Sequence, residues 1–156
     1  MIRKRLGEIL VQKKLITAEQ LLECLDEQKL TKDYIGAILL KKQLLKEEDL
    51  MNALSEQFDM PLVSLKTLYI DWGVCLQFAA IVTTEQKVFP IRADESSLTV
   101  AISNPLDVIA VSKIEEQARP KKLKFVLVTH TELMEFIQEC KKRTKVSIKN
   151  LLEKEI

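Results

Sequence analysis

Glycine is scarce in this chain: Gly7, Gly36 and Gly73 are the three among 156 residues. No GxxxxGK[ST] phosphate loop can be built from them, so the chain by itself cannot be a P-loop ATPase. Histidine is scarcer still, and the sole imidazole, His130, sits beside a helix start, where such a residue is more often a surface or capping group than a base. No Ser/His/Asp, Cys/His or paired-carboxylate arrangement can be assembled, which argues against an enzyme. The longest apolar run, QFAAIV, is far short of the roughly 20 residues a membrane span needs. Charges interrupt MIRKRLGEILVQKK as they would not interrupt a secretory leader, so the chain reads as cytoplasmic and without direct membrane insertion. A net charge of +1 with interspersed Lys and Glu gives no basic field, and 5% aromatic residues give no stacking platform. Nucleic acid is therefore excluded as a partner. Cys24, Cys75 and Cys140 are odd in number, widely spaced and free of CxxC pairs. That pattern suits a reducing compartment, argues against zinc, and reads as three small buried hydrophobes.

What the chain does have is a repeat. RLGEILVQKKLITAEQLLECLDEQ, residues 5–28, is followed by KLTKD and then by YIGAILLKKQLLKEEDLMNALSEQ, residues 34–57. A shift of 29 residues lays Gly7 on Gly36, Leu10 on Leu39, Leu25 on Leu54 and Gln28 on Gln57, which marks a duplicated supersecondary unit. Within a copy, Leu6, Ile9 and Leu10 and then, after a break, Leu21, Leu22 and Leu25 recur at helical spacing. Each copy is thus a helix pair. Thr17 and Gln20 form a capping box that starts the second helix near Ala18, while the second copy places Glu47, Glu48 and Asp49 in the equivalent first turn, favourable to the helix dipole. Two such hairpins, burying their stripes against each other, make a pseudo-symmetric all-α lobe over residues 1–59.

The composition changes at FDMPLVSL, where Pro61 breaks the helical pattern. KVFPIRA and SLTVAIS, separated by DES, read as a β-hairpin. Asn104 followed by Pro105 opens a helix that should stop before Arg119 and Pro120, KLKFVLV supplies a third strand, and Thr129 with Glu132 caps an amphipathic helix carrying Leu133, Met134, Phe136 and Ile137. The fold class is α+β: the helical lobe, then a small α+β lobe over residues 60–142 with a mainly antiparallel sheet and helices packed on one face. Residues 143–156, TKVSIKNLLEKEI with its preceding arginine, either prolong the last helix or act as a tail or linker.

The repeated glycines stand at helix starts, where each costs about 1 kcal/mol relative to Ala. Either they let two helices approach across the pseudo-twofold, or they let a flat ligand reach the backbone, with Arg5 as a planar fork and Gln28 as a paired donor and acceptor.

These residues resemble the N-terminal domain shared by type II secretion and type IV pilus assembly ATPases, the MshEN-type domain. Its tandem 24-residue motif, with a five-residue spacer, begins RLG, continues through paired aliphatic residues and GL, and ends LxxxLxxQ; Arg5, Leu6, Gly7, Leu10, Leu25 and Gln28, then Tyr34, Ile35, Gly36, Leu39, Leu54 and Gln57 fall on it. MPLVSL, VFPIRADESSLTVAISNPLDV and VLVTHTELMEFI are similar to its second half, in order. The resemblance implies a module that regulates the assembly ATPase and docks it on an inner-membrane platform protein. It also implies cyclic di-GMP, held by those twelve residues, as a regulatory ligand rather than a catalytic cofactor. Three positions depart from the pattern: the second Arg is Tyr34, and the mid-motif glycines are Lys14 and Gln43. A lost charged hydrogen bond costs about 1.5 to 3 kcal/mol, roughly ten- to a hundredfold in affinity. The alternative is a protein–protein interaction module whose motifs have become purely structural.

Overall fold

The computed structural model describes residues 4–79 and 87–154, so residues 80–82 of the QFAAIV run and the basic Arg3 lie outside the described residues. The chain divides into two compact units, Met1–Met60 and Pro61–Ile156.

The first unit holds four helices, α1 (Leu6–Gln12), α2 (Ala18–Thr31), α3 (Ile35–Lys41) and α4 (Glu47–Phe58). The Thr17 capping box forms as the sequence implies: Gln20 N donates to Thr17 Oγ1 at 3.1 Å, and Thr17 N donates to Gln20 Oε1 at 2.9 Å. α4 has no side-chain cap and relies on its acidic first turn. α1 packs on α4 and α2 on α3, so each copy's first helix meets the other copy's second. Repeated ion pairs fasten this exchange. Lys13 meets Glu56 at 2.8 Å and Lys42 meets Glu27 at 2.9 Å, with each pair occupying equivalent positions in swapped copies.

α1 and α3 end identically. Leu15 N donates to Leu10 O and Lys14 N to Val11 O, just as Leu44 N donates to Leu39 O and Gln43 N to Leu40 O, all at 3.0 Å. This is a Schellman motif, which puts its C′ residue in the left-handed region; Lys14 and Gln43 accordingly have φ of 60° and 58°. The core includes Leu6, Ile9, Leu10, Ile35, Ile38, Leu39, Leu50, Met51 and Leu54. Leu22, assigned to the buried stripe by periodicity, is 62% exposed, whereas its repeat equivalent Met51 is buried.

In the second unit a 3-10 turn (Leu65–Thr67) and α5 (Trp72–Gln77) precede strands β1 (Val88–Ala93) and β2 (Ser97–Ile102); α6 (Val108–Ala118), β3 (Lys122–Leu127) and α7 (His130–Lys154) follow. The sheet has the order β1-β2-β3. It is mixed rather than mainly antiparallel: β1 and β2 form the expected hairpin, but β3 pairs parallel to β2 because α6 carries the chain back across the sheet. Leu62 adds a parallel bridge to Leu127.

All six residues of β2 are buried, so both sheet faces are covered, not one. Phe89, Ile91 and Ala101 join Leu133, Ile137 and Cys140 of α7 and Cys75 of α5 on one side. α6, burying Ala110, Ile114 and Ala118, covers the other, packed against β1 and β3. The expected start of α6 at Asn104 and Pro105 is a turn instead. Asn104 Oδ1 accepts from Leu106 N at 3.0 Å, and Asp107, whose Oδ1 accepts from Ala110 N at 3.1 Å, is the true N-cap. Two short-range caps compete there, and the one nearer the buried stripe wins.

Cys75 and Cys140 are joined in a disulfide, correcting the reading of three unpaired thiols; a sequence separation of 65 hides from the sequence that α5 and α7 lie side by side. Only Cys24 is free, and burial pushes its thiol pKa up. Beside the disulfide, Trp72 stacks on Phe136 with centroids 6.1 Å apart, and the Arg143 guanidinium lies 4.0 Å over the indole. Glu132 ties the 3-10 turn to α7, its Oε1 accepting from Ser64 Oγ at 2.8 Å and from Lys66 N at 2.9 Å. α7 runs without a break through the residues left open as tail or linker, as far as Lys154.

Candidate functional site

The twelve motif residues separate by depth. Leu6, Leu10, Ile35, Leu39 and Leu54 are core side chains, at most 9% exposed, and their first contribution is to the stability of the helical unit. At roughly 2 to 5 kcal/mol for each Leu or Ile truncated to Ala, they cannot be tested for ligand contact without unfolding it. Leu25 and Gly7 are half-buried, and Arg5 and Tyr34 reach solvent.

Arg5 and Tyr34 occupy the same structural position, the N-cap of α1 and of α3, each in extended backbone. The backbone of Arg5 is fixed by Glu8, whose Oε2 accepts from Arg5 N at 3.2 Å. Its guanidinium forms no ion pair with a described residue. α3 repeats the helix terminus but offers a phenol in place of the fork, with Tyr34 45% exposed.

The glycines have a packing explanation. A Cβ on Gly7 would stand 2.6 Å from Leu21 Cδ1, and one on Gly36 3.0 Å from Leu50 Cδ1. Both contacts lie within one copy, between its first and second helix, so the close approach is inside each hairpin rather than across the pseudo-twofold. Leu21 and Leu50 are themselves repeat equivalents, which was the available sequence signal for this pairing.

The two glutamines differ. Gln28 Nε2 donates to the carbonyl of Asp33 at 3.0 Å, holding the spacer that delivers Tyr34 to its cap. Gln57 Oε1 is buried without a hydrogen-bond partner among the described residues, an unsatisfied acceptor of the kind that costs about 1 to 3 kcal/mol. The Lys13–Glu56 and Lys42–Glu27 pairs were missed in the sequence, although opposite charges at 29-residue spacing in both copies announce them.

Among the described residues no group of three or more His, Cys, Asp or Glu is placed to hold a metal ion, and no helix is long and apolar enough to cross a membrane. A cavity of about 280 Å³ in the second unit, lined by Gln77, Phe78, Arg119 and Lys121 among others, contains none of the motif residues.

A structure of MshE with cdg is similar to this chain at 26% identity and a TM-score of 0.78, covering 88% of this chain and 99% of that one. The N-terminal domain of XpsE, in two crystal forms, shares the fold at 18% identity, with TM-scores of 0.65 and 0.51 over 88% of this chain and 97% and 98% of those. Among curated proteins none matches by sequence. The MshEN domain model matches residues 58–147, more than half of the chain and nearly all of it in the second unit. The α+β unit therefore establishes what the tandem helical motifs had suggested: the chain belongs to the MshEN domain family.

Proposed function

We propose that this chain is a non-catalytic regulatory and docking module of a type II secretion or type IV pilus assembly ATPase, and that its helical unit binds cyclic di-GMP. The observation that carries the reading is the likeness, over nearly all of both chains, to MshE in its structure with cdg. Three features of the helical unit support it. Arg5 presents an exposed guanidinium, a planar fork suited to a phosphate or to the acceptor edge of guanine. The exposed Tyr34 offers a ring for stacking at the pseudo-symmetric position. The half-buried Gln57, whose Oε1 has no partner among the described residues, would meet a guanine N–H once its amide turns outward. The bases would rest on Leu25 and the edges of Leu6, Ile35 and Leu54, with Leu10 and Leu39 as the packed support beneath.

Binding can act at a distance only by favouring one arrangement of the module over another; the partners so controlled would be the ATPase domain and an inner-membrane platform protein, with the module on the cytoplasmic side. Calorimetry with cyclic di-GMP tests this directly. Saturable binding in the micromolar range, weakened at least tenfold in Arg5→Ala, is expected. A second reading has its own observation: five of the twelve motif residues are core and one cationic fork is a tyrosine. Absence of heat, together with retained capture of an assembly ATPase by the purified chain, would favour an interaction module with no nucleotide.

A further inference from the structure

The core-facing line of α7, Leu133, Ile137 and Cys140, continues at the same helical spacing through Thr144, Ile148 and Leu151 beyond the last buried position. In this overhang Val146, Ile148, Leu151 and Leu152 are 58, 53, 62 and 60% exposed. The overhang also holds a local charge that the chain as a whole lacks. Residues 141–154 carry Lys141, Lys142, Arg143, Lys145, Lys149 and Lys154 against the single acid Glu153, whereas the whole chain nets +1. Arg143 is engaged with Trp72 and Glu139, and Lys149 lies 3.9 Å from Glu153; by helical spacing Lys145 borders the apolar line, Lys141 lies in it two turns before Ile148, and Lys142 is on the far side of the helix.

We propose that the last turns of α7 adsorb on an anionic lipid surface, the helix lying in the interface with Ile148, Leu151 and Leu152 toward the acyl chains and the lysine ammoniums at the headgroups. Exposed apolar side chains flanked by snorkelling lysines are the pattern of an interfacial helix, and α7, though 25 residues long, is too charged to span. Charge and length decide against a second copy of the chain. Self-association would bring like-charged helices together in either orientation, and an apolar line of two turns is well below the three to four heptads a coiled coil needs. The exposed leucines decide against nucleic acid, which would engage the lysines and leave the apolar line in water.

The experiment is co-sedimentation of the full chain with vesicles of equimolar phosphatidylglycerol and phosphatidylcholine, beside vesicles of phosphatidylcholine alone. Binding to the anionic vesicles at least tenfold stronger than to the neutral ones, and suppressed by roughly 0.5 M salt through screening, is expected. Each surface lysine contributes about fivefold, so the combined Lys141→Gln and Lys145→Gln variant should bind about 25-fold more weakly. Leu151→Gln with Leu152→Gln should also weaken binding while leaving the circular dichroism unchanged, since both side chains are exposed. No binding to anionic vesicles, equal binding to both kinds, binding to a duplex DNA control in preference to vesicles, or dimerisation in sedimentation velocity that Leu151→Gln abolishes would each overturn the proposal.

Discussion

Lys14 and Gln43 occupy the C′ position of matching Schellman motifs with φ of 60° and 58°, and the family pattern that resembles this repeat has glycine there. A non-glycine residue in that region costs about 1 to 2 kcal/mol. Glycine removes this cost but returns about 0.4 to 1 kcal/mol through the greater entropy of the unfolded chain. Both side chains are exposed, so their removal forfeits no packing. Lys14→Gly or Gln43→Gly should therefore stabilise the helical unit by roughly 0.5 to 1 kcal/mol each, and the double variant by about 1 to 2 kcal/mol. With a urea slope near 2 kcal/mol per M, the double variant should move the unfolding midpoint followed at 222 nm up by roughly 0.5 to 1 M. Trp72 fluorescence reports the second unit in the same samples. Ala37→Gly, an exposed position inside α3, is the opposing control and should destabilise by about 1 kcal/mol. If the double variant matches or falls below wild type while Ala37→Gly falls as expected, the left-handed strain assigned to these two residues does not exist.

Gly36 is buried against Leu50, so Gly36→Val should lower the midpoint by the equivalent of about 1 to 3 kcal/mol through overpacking; an unchanged midpoint would refute the close contact. Asp94 closes the β1–β2 turn, its Oδ1 accepting from Ser96 N at 2.8 Å and Ser97 N at 2.7 Å and its Oδ2 from Ser97 Oγ at 2.8 Å. The Ser96 amide first, then the Ser97 hydroxyl and amide, hold its pKa down from 3.8 to about 2. A depressed carboxylate pKa means that this contribution is fully present above pH 3.8 and is lost as the pH falls toward 2. Acid titration of the hairpin amides by NMR should show that loss in wild type and not in Asp94→Asn. The denatured protein, purified without reductant, should titrate with one thiol, Cys24, and the native protein should react slowly even there; three fast thiols would contradict the Cys75–Cys140 bond. Closing a loop of 65 residues is worth about 4 kcal/mol on chain entropy, so reduction should lower the midpoint for unfolding of the second unit.

The features legible in the sequence were those written within a few residues of one another. The Thr17–Gln20 capping box, the acidic start of α4, the β1–β2 hairpin and the register of the repeat all depend on local chemistry, and the structure contains each of them. What the sequence hid was set by long-range packing. Neither the return of β3 parallel to β2 nor the pairing of Cys75 with Cys140 leaves a short-range trace. The exposure of Leu22 against the burial of Met51 is likewise a tertiary difference between equivalent helical positions. At the candidate site the motif residues recur between the two copies, and recurrence does not separate a core row from a ligand row. Leu10 and Leu39 repeat because both are fully buried; Gly7 and Gly36 repeat because each receives a leucine of its own copy. Arg5 and Tyr34, the pair that differs, are the exposed ends of the two shorter helices. That contrast is why the ligand question concentrates on them.

Titration calorimetry of the intact chain with cyclic di-GMP, run on wild type and Arg5→Ala, tests the central claim most directly. Arg5 is exposed and its backbone capping bond to Glu8 survives the substitution, so the folded unit should persist and the comparison report the guanidinium alone. Saturable micromolar binding to wild type and at least tenfold weaker binding to the variant is the predicted result, in line with a lost charged hydrogen bond of about 1.5 to 3 kcal/mol. No heat with wild type, or identical isotherms for the two proteins, would contradict it.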